Sequence, residues 1–221
     1  MAGWRVILGI ISLVLIGATP VRADSHLPIL PMPQLNNESL YIQSWIESSK
    51  LDLRQDLEAA EKGQQRLVII WEQKNCSDCK SMHEINLRIP RIVRKITENF
   101  SVIRMDIWGE RNVIDIDGNI LTESELAQKN KINFTPTVQF LAEAIKGPVK
   151  GGISGAEAFR FEGYFKPFHY YFLYHYVLNK GYESQPNFQR WLGDIGRSLH
   201  ENNIKYDIWA DALPAELPKQ Y

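Results

Sequence analysis

The sequence predicts an α/β fold in which a central mixed β-sheet is flanked by helices, with N- and C-terminal extensions. Short apolar runs of strand length recur along the chain, and amphipathic segments of helix length stand between them. An unbroken apolar run is typical of a strand that is covered on both faces. The predicted order is helix, strand, helix, helix, strand, helix, strand, strand, helix, which favours a sheet with helices on both faces.

Local patterns place each element along the chain. Helices are predicted over residues 39–49, 51–63, 80–87, 90–99, 122–130 and 167–178, and strands over 67–71, 100–106, 137–141 and 158–162. Gly63 is the expected stop of its helix, and Pro90 suits the first turn of the next one. Thr122 and Glu125 have the spacing of a capping box. We expect a turn at 117–119 (Asp-Gly-Asn) and a glycine-rich loop at 147–155.

The N-terminus has the pattern of a secretory signal peptide over residues 1–23. Arg5 supplies the positive charge, residues 6–18 are apolar, and Val21 and Ala23 are small residues at the positions that a signal peptidase recognises. The apolar run is shorter than the roughly 20 residues that span a bilayer. We therefore expect cleavage after Ala23 and a soluble mature protein exported to a bacterial periplasm.

Composition and length limit the possible partners and the domain organisation. The chain has 25 Lys and Arg against 26 Asp and Glu, a formal net charge of −1, which gives no reason to expect nucleic acid as a partner. Its length suits one well-cored domain with extensions. We assign residues 24–50 to an N-terminal extension, 51–183 to the domain and 184–221 to a C-terminal extension.

The two cysteines of the chain, Cys76 and Cys79, carry the strongest functional signal. They follow the strand at 67–71 and open a helix, which is the layout of a thiol–disulfide redox site because a helix N-terminus stabilises a thiolate. Such a pair can also be a static disulfide, bind a metal, or stay reduced and inert. In an oxidising compartment a close pair is oxidised unless something reduces it again. We therefore expect the pair to cycle.

His83 supports the metal alternative. Cys76, Cys79 and His83 lie at i, i+3 and i+7, so one helix face could gather ligands that copper(I) or zinc accept. The imidazole, however, lies two turns beyond a frayed helix start, and no fourth ligand is visible. We favour a surface or packing role for His83 and predict no metal. Lys80 excludes haem attachment, which needs a C-x-x-C-H motif.

Two further motifs make the chain resemble thioredoxin. Phe-Thr-Pro-Thr at 134–137 opens a later strand, and Phe-Glu-Gly-Tyr at 161–164 precedes the last helix of the domain. The resemblance implies a thioredoxin fold in which the Thr135–Pro136 peptide bond is cis and lies beside the cysteines. Thr135 and Pro136 would bind the substrate chain as a short added strand. Cys76 would be the nucleophile and Cys79 the resolving thiol, with no cofactor beyond their disulfide.

Shorter motifs narrow the resemblance. Trp-Glu-Gln at 71–73 and Lys-Ser-Met-His-Glu at 80–84 are similar to the SoxW-like periplasmic thioredoxins, a group associated with bacterial sulfur oxidation. This implies reduction of disulfides or sulfur adducts on periplasmic proteins, with a membrane electron donor. Thioredoxin has Trp-Cys-Gly-Pro-Cys at its site and a buried carboxylate six residues before the first cysteine. This chain departs from both, with Asn75, Ser77 and Asp78 around the cysteines and Ile70 in place of the carboxylate.

Two carboxylates are candidates for tuning the pair. Asp78 opposes formation of a nearby thiolate, which favours a reductant over a disulfide-forming oxidase or isomerase, although it is equally a favourable first-turn helix residue. Glu72 lies on the same side of its strand as Ile70 and could act as an acid–base group. The favoured prediction is that Glu72 ends the strand in solvent, because buried lone carboxylates are rare. A copper-binding chaperone that uses the cysteines and His83 is the alternative from another functional class.

Aromatic residues crowd the segment from Tyr164 to Tyr176. Because they are spread around the predicted helix, we expect them to form core rather than a binding groove. The tail from Pro186 onward carries further apolar residues, and we expect it to dock on the domain or to serve as a partner-specific surface. These residues are Phe188, Trp191, Leu192 and Trp209.

Overall fold

A computed structural model of the chain describes residues 28–46, 49–143 and 149–209. The predicted signal peptide and its cut after Ala23 lie outside these residues, as does the end of the C-terminal extension. Part of the predicted glycine-rich loop at 147–155 lies outside them too. Within the described segments, no helix is both long enough and apolar enough to cross a bilayer.

Four strands form the central sheet, and a separate hairpin lies beside it. The strands are β1 (Arg66–Glu72), β2 (Phe100–Asp106), β3 (Asn112–Ile114), β4 (Ile120–Thr122), β5 (Thr137–Leu141) and β6 (Glu157–Glu162). The sheet has the order β2-β1-β5-β6, and β1 pairs with β2 in parallel and with β5 antiparallel. The sheet is therefore mixed, as predicted, and β1 is an interior strand whose residues are all buried.

Helices cover both faces of this sheet. They are α1 (Leu53–Lys62), α2 (Ser77–Glu84), α3 (Pro90–Asn99), α4 (Glu123–Lys129), α5 (Ile153–Ala156), α6 (Pro167–Leu178), α7 (Gly181–Ser184) and α8 (Phe188–Glu201), with a 3₁₀ turn at Asn86–Arg88. The predicted starts and stops are confirmed at Gly63, which caps α1, and at Pro90, which opens α3. The capping box of Thr122 and Glu125 opens α4.

The predicted helix at 39–49 is wrong. Its described residues form turns and a bridge, and Ser39 has a φ of 62°, in the left-handed region. The side-chain oxygen of Asn36 accepts hydrogen bonds from the backbone N–H groups of Glu38 and Leu40, which holds the chain in a tight turn. This side chain competes with helix formation by capping its own segment. Leu40 is buried without being part of a helix.

The β3–β4 hairpin and the helices α5, α7 and α8 were not predicted. The hairpin surrounds the expected turn at 117–119, where Gly118 adopts a φ of 88°. Its strands have three residues each, which is too short for an alternating pattern to stand out from the background. Helix α5 has a single turn and begins within the predicted glycine-rich loop.

The sheet separates two hydrophobic cores, because successive side chains of β1 point to opposite faces. Val68 and Ile70 belong to the core that α3, α6 and α8 complete. Leu67, Ile69 and Trp71 belong to the core beneath α1 and α4. The unbroken apolar run of β1 thus serves both cores at once, which explains why the strand shows no alternation in sequence.

The aromatic segment is core, as predicted, and the C-terminal extension covers it. In α6 the ring of Tyr174 packs edge-to-face on Phe140 of the sheet at 5.2 Å, and Tyr176 packs on Phe188 of α8 at 5.3 Å. Phe188 and Leu192 of α8 are buried in the same core. Trp209 remains half exposed beneath the ammonium group of Lys166, which lies 4.2 Å from its ring. The extension therefore docks on the domain through α8.

The burial of α8 predicts a measurable loss of stability when one of its buried side chains is shortened. Ile195 is fully buried, and Ile195→Ala should lower the free energy of unfolding by about 2–5 kcal/mol, because it removes buried methyl groups and leaves a cavity. Ile120→Ala, at a site 66 % exposed, is the control and should change it by less than about 0.5 kcal/mol. Denaturant unfolding would measure both. Equal effects would show that α8 is not part of the core.

Candidate active site

The cysteine pair lies where β1 ends and α2 begins. Cys76 is the N-cap residue of α2 and is joined to Cys79 by a disulfide. The backbone N–H of Cys79 donates a hydrogen bond to Cys76 Sγ at 3.0 Å, so the first sulfur lies at the positive end of the helix. Cys76 is partly exposed, whereas Cys79 is only 2 % exposed. This asymmetry fits the predicted roles of an attacking Cys76 and a resolving Cys79.

The Thr135–Pro136 peptide bond is cis and lies against the disulfide, as the resemblance implied. The Thr135 carbonyl oxygen is 3.3 Å from Cys76 Sγ, and the Thr135 hydroxyl donates to the same sulfur at 3.3 Å. Thr135 is partly exposed and Pro136 is buried. The backbone of Thr135 thus lies beside the sulfur that a substrate would reach first.

A short chain of hydrogen bonds fixes the Thr135 hydroxyl. Gln73 Nε2 donates to Thr135 Oγ1 at 2.9 Å, and the indole N–H of Trp108 donates to Gln73 Oε1 at 2.7 Å. Trp108 is 67 % exposed. Phe134, which directly precedes Thr135 in the chain, is also exposed. No sequence pattern pointed to Trp108, because it lies in the irregular segment after β2.

The prediction that Glu72 ends its strand in solvent is wrong. Glu72 is 1 % exposed and lies at the buried end of β1. Its Oε1 atom is 2.6 Å from Nε2 of His83, a fully buried residue in the last turn of α2. The physical reason for the error is that Glu72 is not a lone carboxylate. Helix α2 folds back beneath the end of β1 and brings an imidazole to it.

His83 is a packing residue, in line with the favoured prediction of a surface or packing role. Its surroundings do not favour metal binding. Its Nε2 faces Glu72, and its Nδ1 lies 3.2 Å from the side-chain amide of Gln43. Both ring nitrogens therefore have protein partners. Among the described residues, no three His, Cys, Asp or Glu side chains are grouped as metal ligands. The copper-binding alternative thus lacks the imidazole on which it depended.

The N-terminal extension covers this buried pair, which sequence reasoning missed. The Tyr41 ring stacks on His83 with 4.8 Å between centroids and 17° between planes. Its hydroxyl donates to Glu84 Oε1 at 3.0 Å, and Arg104 donates to its backbone carbonyl. Burial first, and then the Glu84 carboxylate, raise the pKa of Tyr41 to about 12. Tyr41 and Gln43 are about 40 residues from His83 in sequence, so no local pattern could reveal the contact.

A cavity of about 360 Å³ opens beside the disulfide, between the extension and the redox turn. Leu35, Leu40 and Tyr41 form one wall, and Glu72 and the two cysteines form part of the other. Cavities of this volume can hold a small ligand or a few side chains of a partner. The extension therefore shapes access to the cysteines.

Asp78 occupies an exposed position in the first turn of α2. It lies near the loop that follows β6, where burial first, and then the Asp78 charge, raise the pKa of Tyr164. The position fits the helix N-terminus role. Solvent screens its effect on the thiolate, so this effect is smaller than that of a buried carboxylate.

The Glu72–His83 pair predicts a specific pattern of stabilities. His83→Leu should lower the free energy of unfolding by about 3–5 kcal/mol, because it leaves a buried carboxylate without its partner. The double variant Glu72→Met/His83→Leu removes the charge as well and should recover most of that loss. Denaturant unfolding of the oxidised protein would measure both. A double variant as unstable as His83→Leu alone would contradict the pairing.

Comparisons with known proteins agree with this geometry. A family model described as a thioredoxin-like domain matches residues 53–178, more than half of the chain. No curated protein matches significantly. Among solved structures, a thioredoxin-fold protein from Helicobacter pylori matches with a TM-score of 0.50 and 14 % identity, over 64 % of this chain and 87 % of that one. Such identity shows the fold alone, and the SoxW-like subtype stays a prediction. The chain belongs to the thioredoxin-like family.

Proposed function

We propose that the protein is a thiol–disulfide oxidoreductase that reduces disulfides or sulfur adducts on other proteins. The observation that carries the proposal is the disulfide between a partly exposed Cys76 and a buried Cys79 beside the cis Thr135–Pro136 bond. One sulfur is accessible to a substrate and the other is protected. This is the arrangement that two successive thiol exchanges require.

In the first exchange the Cys76 thiolate attacks one sulfur of a substrate disulfide. The substrate S–S bond breaks, one substrate thiolate leaves, and a mixed disulfide joins Cys76 to the other half. In the second exchange Cys79 attacks Cys76 Sγ, which releases the second substrate thiolate and closes the Cys76–Cys79 bond. The substrate gains two electrons and the pair loses two. The helix N-terminus at Cys76 stabilises its thiolate in both steps.

The working environment is part of the proposal. The signal-peptide pattern of residues 1–23 supports export to the periplasm. In that compartment the pair is reoxidised with each turnover, so a membrane electron donor must return two electrons to it. The motifs at 71–73 and 80–84, which resemble SoxW-like thioredoxins, support sulfur-oxidation proteins as substrates. No cofactor beyond the disulfide is needed for this chemistry.

The second candidate function is that of a disulfide-forming oxidase or isomerase on the same two cysteines. An oxidase would accept two electrons from its substrate instead of donating them, and an isomerase would rearrange substrate disulfides with no net transfer of electrons. Two carboxylates favour the reductant, because Asp78 and the buried Glu72 both oppose a nearby thiolate and so favour the disulfide form. The oxidised pair is then harder to reduce, and the reduced pair is a better electron donor.

Substitution of each cysteine tests the proposal. Cys76→Ser should abolish reduction of a protein disulfide such as that of insulin, because no exposed nucleophile remains. Cys79→Ser should form a mixed disulfide with its substrate and fail to release it, since the resolving thiol is missing. Activity with dithiothreitol as electron source and non-reducing electrophoresis would measure the two effects.

Ser81→Ala, on the same helix, is the control and should keep full activity, since within the described part of the chain the Ser81 hydroxyl donates to the Ser77 carbonyl and not to the cysteines. A Cys76→Ser protein that still reduced insulin would overturn the proposal. A Cys79→Ser protein that formed no adduct with its substrate would overturn the assigned order of attack.

A further inference from the structure

Three apolar side chains form an exposed ridge on the N-terminal extension. They are Ile29, Met32 and Leu35, and their exposed fractions are 41 %, 56 % and 53 %. They recur at every third residue, and so do the partly buried residues of the same stretch, which are Leu30, Pro33 and Asn36. A period of three is that of an extended polyproline-type chain, which has three residues per turn. The stretch thus turns one side to the protein and an apolar side to solvent.

Hydrogen bonds hold this stretch at both ends. At its start, the Leu30 N–H donates to the Arg88 carbonyl at 2.8 Å, and Arg88 Nε donates to the Leu30 carbonyl at 2.8 Å. At its end, the Ile42 N–H donates to the Gln34 carbonyl at 2.7 Å. The ridge is therefore ordered before a partner arrives, which removes a conformational cost of binding.

The ridge ends at the redox pair. Leu35 lines the cavity of about 360 Å³ that the two cysteines also line. Leu30, at the other end, is joined to the 3₁₀ turn that follows α2. The ridge therefore runs alongside α2, away from Cys76, and at about 3.1 Å per residue it is roughly 19 Å long. A polypeptide whose disulfide reaches Cys76 from this side meets the ridge.

The composition of the stretch determines what kind of partner fits it. Residues 28–37 carry no charged side chain. Pro28, Pro31 and Pro33 have no backbone N–H, so the stretch is poorly suited to pair with a partner as a strand. Contact must therefore come from apolar side chains. Folded proteins rarely expose contiguous apolar surface, so the ridge fits a chain whose apolar residues are not yet buried.

We propose that the ridge of Ile29, Met32 and Leu35 is a docking surface for unfolded or partly folded protein substrates that carry apolar residues beside the disulfide cysteine. The inference rests on the proposed function and names its substrate class. All three residues lie outside the family match at 53–178, so the preference belongs to the extension. The ridge binds the substrate next to Cys76 and takes no part in the thiol exchange.

Two synthetic peptides test the preference. Each has one cysteine in a mixed disulfide with 2-nitro-5-thiobenzoate, and they differ only in carrying leucines or serines on one side of that cysteine, each side being tested in turn. The probe disulfide gains two electrons and leaves as the peptide thiol and the coloured thiobenzoate, while the two protein thiols lose two electrons and form the Cys76–Cys79 bond. The leucine peptide should react with a second-order rate constant about tenfold higher, because it buries apolar surface on the ridge.

Ile29→Ser/Met32→Ser removes the part of the ridge that lies beyond the cavity. Neither side chain belongs to the two hydrophobic cores of the described residues, so the variant should fold. It should lower the rate constant for the leucine peptide about tenfold, to that of the serine peptide. It should leave the reaction with the small disulfide 5,5′-dithiobis(2-nitrobenzoate) within about twofold, because the exchange itself does not involve the ridge.

Ile120→Ser is the matched control, since Ile120 is a similar side chain, 66 % exposed, on β4. It should leave the reactions with both peptides and with the small disulfide unchanged. The comparison of the two peptides on the wild-type protein needs no variant, so it decides the inference even where a variant fails to fold.

The outcomes separate this inference from the proposed function. If the wild-type protein reacts equally with leucine and serine peptides on both sides of the cysteine, or if Ile29→Ser/Met32→Ser keeps the preference, the inference is overturned while the oxidoreductase stands. A wild-type dimer that this variant converts to a monomer in analytical ultracentrifugation would show that a second copy covers the ridge, and would overturn it as well. If the wild-type protein reduces neither peptide disulfide nor insulin, the proposed function itself fails.

Discussion

Burial of a carboxylate at the end of a strand that is covered on both faces is the constraint around which the active-site half of the molecule is arranged. Strand β1 serves two hydrophobic cores, and its last residue, Glu72, is buried with them. A charge in that position requires a partner. Helix α2 supplies His83, and the turn that connects β1 to α2 carries the cysteines. The same pairing therefore orients the helix whose first turn holds the redox pair.

The constraint extends to segments outside the family match at 53–178. The imidazole needs its own partner, which Gln43 supplies, and Tyr41 covers the ring. Two hydrogen bonds between Leu30 and Arg88 join the extension to the 3₁₀ turn that follows α2. Helix α8 completes the core around α6, and Met82 of α2 belongs to that same core. Both extensions thus work as parts of one packed unit.

Opposing electrostatic interactions of different strength act on the Cys76 thiolate. The N-terminus of α2 stabilises the Cys76 thiolate by roughly 0.3–1 kcal/mol. Exposed Asp78 opposes it by a similar or smaller amount, because water screens the charge. Glu72 acts from within the protein, where screening is weaker. The proposed direction of electron flow, from the pair to the substrate, rests on this buried carboxylate, because a carboxylate opposes a nearby thiolate. Each 1.4 kcal/mol of preference for the disulfide form corresponds to about 30 mV.

The sequence was sufficient for the elements with strong local signals. The apolar run of β1, the capping box at Thr122 and the proline of α3 placed their elements to within a few residues. The motif of Cys76 and Cys79 and the Thr135–Pro136 bond located the site. These signals are local or belong to a family pattern, so a single sequence carries them.

What the sequence could not show depends on contacts between distant segments. Glu72 looked like a solvent-exposed strand end because its partner lies in another element. The segment at 39–49 looked helical from its apolar residues, whereas the Asn36 turn and the contacts of Tyr41 with α2 hold it in an irregular path. Trp108 is linked to the site through its hydrogen bond to Gln73, a residue distant from it in sequence. Tertiary partners decided each of these positions, and local propensity did not.

The reduction potential of the Cys76–Cys79 pair, measured by equilibration with dithiol buffers of known potential, tests the central claim most directly. The buried Glu72 and the neighbouring Asp78 predict a reducing pair near the thioredoxin value of about −270 mV. A value near about −120 mV, that of a strong disulfide-forming oxidant, would contradict the account. It would mean that the carboxylates do not control the thiolate and that electrons flow in the opposite direction.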